Sequence, residues 1–276
     1  MKITSLLPLA AVVASTVPAI TFAASNATLS ILTNNVYFMS EVLYPNWGQN
    51  PYQTPIVGQT KNGWDSTSGS YSSASIENGG VIILSKWPIT QQRQFIFKKA
   101  CGADWFANKG FAYAVINYRG AKVHVFGTHM QSDDSGCTAG EAARYRAAAL
   151  DAWRTYINSQ NIPASELVIM TGDFNIKKDT AEFSTLLTRL DAHQPNTYDG
   201  HPWTWDTSLN EIAHYNYPNL VPEYLDYVLI DKQHKAAKSV VQTVLKVNSP
   251  EYILKSVPYH EYSDHYPVHV LIEVDL

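Results

Sequence analysis

Asp173 and Asn175 are the pair of residues whose types and spacing most directly suggest chemistry. They follow the apolar residues 167–170 and Gly172, and they lie two positions apart. Residues at i and i+2 of an extended chain point to the same side, so both side chains could face one pocket at a strand end. A carboxylate and an amide there could bind a metal ion or a phosphate oxygen. The alternative is an Asx-turn that only closes a loop.

Asp264 and His265 form a second candidate, directly before the apolar residues 268–272. Imidazole titrates near neutral pH, as a general base must, and the neighbouring carboxylate could bind a metal ion. In isolation the same pattern fits a surface histidine in a turn.

Three further polar residues lie at the ends of apolar runs. His129 follows residues 123–126, Asp226 precedes residues 227–230, and Asn35 follows residues 30–32. A carboxylate at position 226 could accept a hydrogen bond from an imidazole and fix its tautomer. Each of these signals is weak by itself, because a single histidine or aspartate at a strand end is more often structural.

The elements that must position these residues are short strands mixed with helices. Residues 138–158 are rich in helix formers, and Asp179 with Glu182 makes a capping-box pattern at the start of a second helix. Strands and helices in this order predict two packed sheets with helices outside. The predicted strands are residues 30–32, 80–84, 112–116, 123–126, 168–170, 227–230 and 268–272.

The composition indicates a globular domain and disfavours a nucleic-acid substrate. The chain has 276 residues, of which 45% are hydrophobic, so it can form a full core. Its formal net charge is −4, which leaves no basic excess to neutralise a phosphate backbone.

The N-terminus predicts a secretory signal peptide over residues 1–24 and a single domain over residues 25–276. Lys2 precedes the apolar residues 6–20, a run too short to span a bilayer, and cleavage is expected after Ala23 or Ala24. The alternative is a buried strand or helix. In an exported protein Cys101 and Cys137 favour a disulfide, with two free thiols as the alternative.

The order Asn35, His129, Asp173-x-Asn175, Asp226, Asp264-His265 resembles the endonuclease/exonuclease/phosphatase superfamily. The short sequence motifs around these residues are similar to those of bacterial neutral sphingomyelinases, the sphingomyelinase C or β-haemolysin group. The similarity extends from about Leu32 to the C-terminus. The motifs are Asn35-Val36-Tyr37-Phe38-Met39, Tyr44-Pro45-Asn46-Trp47-Gly48, Asn78-Gly79-Gly80-Val81, Ser85-Lys86-Trp87-Pro88-Ile89, Cys101-Gly102-Ala103-Asp104, Asn108-Lys109-Gly110-Phe111-Ala112-Tyr113 and Asp134-Ser135-Gly136-Cys137.

The resemblance implies an α/β fold, the deoxyribonuclease-I-like four-layered sandwich of two packed mixed sheets flanked by helices. It implies a secreted, Mg²⁺-dependent phosphodiesterase, in which Co²⁺ or Mn²⁺ could replace Mg²⁺. The substrate would be sphingomyelin in membrane surfaces, cleaved to ceramide and phosphocholine. The protein would be a monomer with peripheral membrane contact and no nucleic-acid partner, and its two cysteines match the disulfide of the group.

The resemblance also implies a role for each candidate residue. His265 is similar to the general base and Asp226 to its orienting partner, while Asp173 and Asn175 resemble the pair that positions phosphate and water. His129 resembles a second imidazole that stabilises charge or assists the leaving group. Asn35 resembles a residue on the metal side of the phosphate, and Asp264 resembles a contact to a second metal ion.

Two departures from the family pattern stand out. The family carries a metal-binding glutamate after the Tyr-Pro-Asn-Trp-Gly word, but here Gln49 and Asn50 run directly into Pro51, and neither Glu41 nor Glu77 matches that position. We therefore expect one helix and one strand to be lacking and the activity to be impaired. The membrane-facing hairpin, residues 250–262, is short and has no tryptophan pair.

Two other functions remain open at this point. One is a secreted nuclease of the same fold, which the net charge disfavours. The other is an inactive member that binds choline lipids or membranes through aromatic residues such as Trp203, Trp205 and Tyr217, although ordinary packing would also explain those residues.

Overall fold

The computed structural model describes residues 12–15, 26–35, 51–254 and 256–276. These residues form two seven-stranded sheets, a two-stranded hairpin, three α-helices and a 3-10 helix at Gly102–Phe106. The strands are β1 (Val12–Ser15), β2 (Asn26–Thr33), β3 (Tyr52–Gln53), β4 (Ser66–Gly69), β5 (Ile83–Ser85), β6 (Ile89–Ile96), β7 (Gly110–Tyr118), β8 (Ala121–His129), β9 (Leu167–Asp173), β10 (Ala192–His193), β11 (Thr197–Gly200), β12 (Asp226–Asp231), β13 (Ser239–Val244), β14 (Asn248–Leu254), β15 (Val257–Glu261) and β16 (Val268–Asp275). The helices are α1 (Glu141–Ser159), α2 (Ala181–Leu190) and α3 (Glu211–Asn216). None of these helices is long and apolar enough to cross a bilayer.

Both sheets are mixed, as the resemblance implied. The first sheet has the order β11-β13-β16-β2-β1-β5-β3, and the second has the order β10-β12-β9-β8-β7-β6-β4. Parallel pairs such as β8 with β9 and β11 with β13 occur among antiparallel ones. Every predicted strand lies in one of these sheets, although residues 80–82 precede β5 rather than belonging to it.

The core lies between the two sheets and beneath the helices. Leu29 and Ile31 of β2 line a small internal cavity together with Ile169 of β9, so the sheets pack face to face. On the outer face of the second sheet, Trp153 of α1 stacks on Phe111 of β7, with ring centroids 5.2 Å apart. Burial of large aromatic side chains supplies much of the favourable free energy of such a core.

The outer face of the first sheet is only partly covered. Along β16, Val268, Val270 and Ile272 are buried, whereas the intervening His269 is half-buried and Glu273 is exposed. Of the described helices, α1 and α2 pack together and α3 lies against β15.

Strand β1 comes from the segment predicted to be a signal peptide. It is antiparallel to β2 and parallel to β5, and it joins these two strands into one sheet. Residues 1–11 and 16–25, including the expected cleavage site, lie outside the described residues. Removal of residues 1–24 stays a prediction, and it would leave β2 and β5 without their common neighbour.

The second helix begins one residue later than the capping-box pattern indicated. Thr180 is the N-cap, and its hydroxyl accepts a hydrogen bond from the Phe183 amide at 3.2 Å. Asp179 has a φ of 61°, outside the helix. Glu182 does not reach back to the cap, because its carboxylate pairs with the buried Arg146 of α1 at 2.7 Å. The capping prediction for Asp179 and Glu182 was therefore wrong in register.

The predicted disulfide between Cys101 and Cys137 is present in the structure. Their Cα atoms lie 5.2 Å apart, and the bond joins the β6–β7 connection to the segment between β8 and α1. Both segments lie at the edge of the second sheet where β8 ends.

Candidate active site

The candidate residues converge because several strands begin or end at one edge. In the second sheet, Asp173 at the end of β9 lies beside His129 at the end of β8 and beside Asp226 at the start of β12. In the first sheet, β2 ends and β16 begins at Thr33 and Val268, which are paired. Asn35 and His265 therefore lie just beyond that pair, and the packing of the two sheets brings them to Asp173.

Oδ2 of Asp173 is the centre of the cluster. It accepts a hydrogen bond from Nδ2 of Asn35 at 2.8 Å. Nε2 of His129 lies 3.6 Å from the same oxygen, and Nε2 of His265 lies 3.8 Å from it. One carboxylate oxygen thus faces two imidazole rings and one amide group.

An extended chain would direct the side chains of Asp173 and Asn175 into the same pocket, but the backbone turns between these two residues. Oδ1 of Asp173 accepts a hydrogen bond from the Asn175 amide at 2.8 Å, and Asn175 has a φ of 51°. This local turn is the Asx-turn that the sequence left as an alternative. The side chain of Asn175 donates to the Met130 carbonyl at 3.0 Å, next to His129. The two residues are therefore part of the same edge, but the turn separates their side chains.

His265 and Asp226 form a buried pair. Nδ1 of His265 lies 2.8 Å from Oδ2 of Asp226, and both side chains are almost fully buried. The backbone around His265 is fixed by a bridge to Trp205 and by a hydrogen bond from the Tyr266 amide to the Thr204 carbonyl at 2.7 Å. A ring held in this way has one tautomer available, with Nδ1 protonated and Nε2 directed at Asp173.

Charge and burial shift the titration of the two imidazoles in opposite directions. Burial by itself would lower the pKa of His265, but the charges of Asp226 and Asp173 outweigh it and raise this pKa to about 10. Burial and the positive charge of Lys109 hold the pKa of His129 well below its usual value. Burial and the nearby charge of Asp226 raise the pKa of Asp173. His129 therefore stays neutral, and His265 retains a proton unless positive charge enters the site.

Lys109 is a site residue that the sequence reasoning missed. Its ammonium group donates to the Met130 carbonyl at 2.9 Å, the same oxygen that Asn175 contacts, and it pairs with Asp104 at 2.8 Å. The side chain is only 10% exposed. Lys109 lies in the motif Asn108-Lys109-Gly110, which contributed to the resemblance. The spacing of residues in the sequence does not predict that Lys109 lies near His129.

The carboxylates of the cluster could hold a cation. Single ligand atoms of Asp173, Asp226 and His265 all lie within 4.8 Å of one another. Oδ1 of Asp226 is buried and has no hydrogen-bond partner among the described residues. Carboxylate oxygens are the ligands that Mg²⁺ prefers. The residues present thus fit a divalent cation.

A cavity beside Asp173 has little negative charge. It is lined by residues that include Asn34, Asn35, His129 and Asp173, and Asp173 is its only carboxylate among the described residues. Glu77 lies elsewhere, exposed and paired through its backbone with Ala107, and Glu41 falls outside the described residues. The loss of a metal-binding glutamate stays a prediction.

The two predicted metal ligands occupy different positions. Asn35 contacts Asp173, as described above. Asp264 is buried, and its Oδ1 lies 3.2 Å from the Ser263 hydroxyl; it is not part of the group formed by Asp173, Asp226 and His265. The assignment of Asn35 and Asp264 as ligands stays a prediction.

The proposed choline-binding aromatics differ in exposure. Trp205 is buried against the site, where its ring lies 5.5 Å from that of Tyr217, whereas Trp203 and Tyr217 are each partly exposed. Ordinary packing accounts for Trp205, and the structure leaves the choline role of the other two as a prediction.

The fold and the cluster together define a phosphodiesterase, and the chain belongs to the endonuclease/exonuclease/phosphatase family, whose model matches residues 23–265. It is 39% identical to a phospholipase C of Staphylococcus aureus, with 87% of this chain and 86% of that protein covered. The alignment with this relative is 284 residues long, but it includes only about 240 residues of this chain, which is 87% of 276. The relative therefore carries residues that have no counterpart here.

Solved structures agree with this assignment. Sphingomyelinase C from Streptomyces griseocarneus superposes with a TM-score of 0.83 at 39% identity, covering 88% of this chain and 99% of that one. A variant beta toxin from S. aureus with bound magnesium ions gives a TM-score of 0.82 at 38% identity, covering 87% and 98%. The predicted resemblance, fold and class of hydrolase are therefore confirmed.

Proposed function

We propose that this chain is an exported phosphodiesterase that hydrolyses sphingomyelin in membrane surfaces to ceramide and phosphocholine. The observation that carries the proposal is the buried pair of His265 and Asp226 placed beside Asp173. Relatives that cover most of the chain and are named sphingomyelinase C support the substrate. Export is supported by the N-terminal leader pattern, and we expect the processed protein to act as a monomer.

In the proposed reaction, water attacks phosphorus while the bond from phosphorus to the ceramide oxygen breaks. His265 takes the proton of the water at Nε2, because Nδ1 is already held by Asp226. Asp226 stabilises the imidazolium that forms, as the carboxylate of a catalytic triad does. Asp173 lies within 3.8 Å of Nε2 and orients the water toward the base.

Uncharged hydrogen-bond donors would contact the phosphate on the side away from His265. His129 stays neutral because burial and Lys109 lower its pKa, so its ring can donate a hydrogen bond to a phosphate oxygen or to the departing ceramide oxygen. The ceramide oxygen takes its proton from a second water. The amide of Asn35, fixed by Asp173, contributes a second polar group. Asn175, which is tied to the carbonyl beside His129, keeps that segment in position.

A divalent cation, Mg²⁺ by the resemblance, would be held on the side of Asp173 and Asn35, with Asp264 as a candidate for a second ion. It would neutralise phosphate charge and lower the pKa of bound water. Its charge would also lower the pKa of His265, which Asp226 and Asp173 otherwise raise.

The substrate can be tested directly with the protein lacking residues 1–24. Phosphocholine release from sphingomyelin vesicles should depend on Mg²⁺ and exceed release from phosphatidylcholine vesicles. Plasmid DNA should remain intact under the same conditions, because the net charge of −4 disfavours a polyanionic substrate. Cleavage of the plasmid without phosphocholine release would replace the proposal with a nuclease.

A second candidate function is lipid binding without turnover. It is favoured by the cavity beside Asp173, which contains no other carboxylate among the described residues. Sedimentation with sphingomyelin vesicles, in the absence of phosphocholine release at any Mg²⁺ concentration, would support this candidate over the enzyme.

A further inference from the structure

Three large apolar side chains form an exposed cluster that the proposed reaction does not use. Ile76 is 79% exposed, Trp105 is 66% exposed and Phe106 is 51% exposed. A group of exposed large apolar side chains is uncommon on a soluble surface unless it contacts a partner. We call Ile76, Trp105 and Phe106 the aromatic rim.

The backbone holds the aromatic rim together. The amides of Ile76 and Glu77 both donate to the Phe106 carbonyl at 3.1 Å, and the Asn108 amide donates to the Glu77 carbonyl at 3.0 Å. Two segments far apart in the sequence are therefore joined side by side. The apolar side chains are presented by an ordered scaffold rather than by a free loop.

Additional bonds fix the aromatic rim to the body of the protein. Cys101 begins the 3-10 helix that carries Trp105, and its disulfide with Cys137 ties this helix to a neighbouring segment. Asp104, next to Trp105, accepts a hydrogen bond from the Ser132 amide at 2.8 Å. None of these bonds involves the side chain of Trp105 or Phe106. The segment is therefore held in place although both aromatic side chains are exposed.

The aromatic rim lies at the edge of the second sheet that carries the site. Trp105 and Phe106 belong to the connection between β6 and β7, and Ile76 belongs to the connection between β4 and β5. Ile96 at the end of β6 pairs with Gly110 at the start of β7. Lys109 follows Phe106 and contacts the carbonyl of Met130, the neighbour of His129. A substrate headgroup that reaches His129 from a flat surface would bring that surface against this edge.

The surrounding charge also fits a phospholipid surface. Lys98 and Lys99 are exposed on the connection between β6 and β7, and the Phe97 amide is bonded to the Lys109 carbonyl. Lysine ammonium groups near aromatic side chains match the phosphate layer above an apolar interior. Glu77 is the one exposed acidic side chain within the joined segments 76–77 and 105–106.

We propose that Ile76, Trp105 and Phe106 insert into the interfacial layer of a lipid bilayer and so orient the site toward lipid headgroups. This proposal rests on the proposed function, since it takes a membrane as the surface that presents the substrate. The contact is separate from the hairpin β14–β15, whose exposed Ile253 would be a second contact.

The test measures vesicle binding and turnover separately. Sphingomyelin–phosphatidylcholine vesicles in EDTA should bind the parent protein, and the double variant Trp105→Ala, Phe106→Ala should bind at least tenfold more weakly. The swap Trp105→Phe, Phe106→Trp preserves the apolar surface and should bind like the parent. Hydrolysis of the water-soluble substrate p-nitrophenylphosphocholine should be the same in all three proteins.

Each outcome decides the proposal. Equal binding by the parent and the double alanine variant, or no binding by the parent, would overturn it. Because binding is measured without Mg²⁺, a protein that binds vesicles through the aromatic rim but hydrolyses neither substrate would refute the proposed function alone. Ile76→Ser, which leaves the 3-10 helix untouched, provides a second variant if the double variant is unstable.

Discussion

Nδ1 of His265 lies 2.8 Å from Oδ2 of Asp226, and the other carboxylate oxygen of Asp226 has no partner among the described residues. Oδ2 therefore orients a single imidazole ring, while Oδ1 stays available to a cation. An unpartnered buried oxygen is costly for stability and is typical of a site that is arranged for function.

The first prediction concerns the base. His265→Ala should lower phosphocholine release by about 10²–10⁴-fold, because that is the usual contribution of a general base. His193→Ala removes an exposed histidine of β10 and should leave activity unchanged. Activity of His265→Ala within a few-fold of the parent would show that another group removes the proton. Circular dichroism of both variants controls for folding.

The second prediction concerns stability as a function of pH in the metal-free protein. The pKa of His265 is raised to about 10, so its proton stabilises the fold fully below about 6.5, and this stability is lost as the pH rises through 10. One proton corresponds to a slope of at most about 1.4 kcal/mol per pH unit.

Urea unfolding in EDTA between pH 6 and pH 10 measures that slope. The parent should lose more unfolding free energy over this range than His265→Gln, and His193→Gln should follow the parent. Parallel curves for parent and His265→Gln would mean that Asp226 and Asp173 do not retain a proton on the ring.

Much of the site could be predicted from the sequence because it is built at strand ends. The residue types at Asp173, Asp226 and His265 were recognisable, and the apolar runs beside them placed each at a strand end. Lys109 could not be found in this way, because its role depends on contact with the Met130 carbonyl, which lies just beyond the end of β8. The polar strands β4 and β11 were also missed, since neither has the apolar alternation that identifies a strand.

The third prediction concerns Lys109. Removing its charge with Lys109→Met, combined with Asp104→Asn to avoid an unpaired carboxylate, should raise the pKa of His129 and lower turnover. The pKa of His129 can be followed by NMR titration of the imidazole protons. Lys122→Met removes an exposed lysine and should change neither quantity. An unchanged pKa of His129 in the double variant would restrict Lys109 to a structural role.

The fourth prediction is that the chain binds Mg²⁺ weakly and turns over slowly compared with its relatives. Mg²⁺ requires near-ideal geometry and releases water reluctantly, so a missing carboxylate should weaken binding severely. Thermal unfolding over a Mg²⁺ titration reports binding without depending on activity, and phosphocholine release reports turnover. The sphingomyelinase C of Streptomyces griseocarneus is a suitable comparison. Equal affinity and turnover in the two proteins would show that the glutamate is dispensable or replaced.

The last prediction concerns the strand β1. In the described sheet it pairs on one side with β2 and on the other with β5, which are not paired with each other. Removal of residues 1–24 would therefore leave two strand edges without partners. Each buried backbone group left unsatisfied costs about 1–3 kcal/mol.

Hydrogen exchange can compare the full chain with the form that begins at Ser25. Amides of β2 and β5 should exchange faster in the shorter form, whereas amides of β9 and β12, in the other sheet, should exchange alike in both. A synthetic peptide of residues 10–17 should restore protection, and a peptide of the same composition in scrambled order should not. Equal protection of β2 and β5 in both forms would show that the two edges find other partners once the leader is removed, and that the leader contributes nothing to the folded sheet.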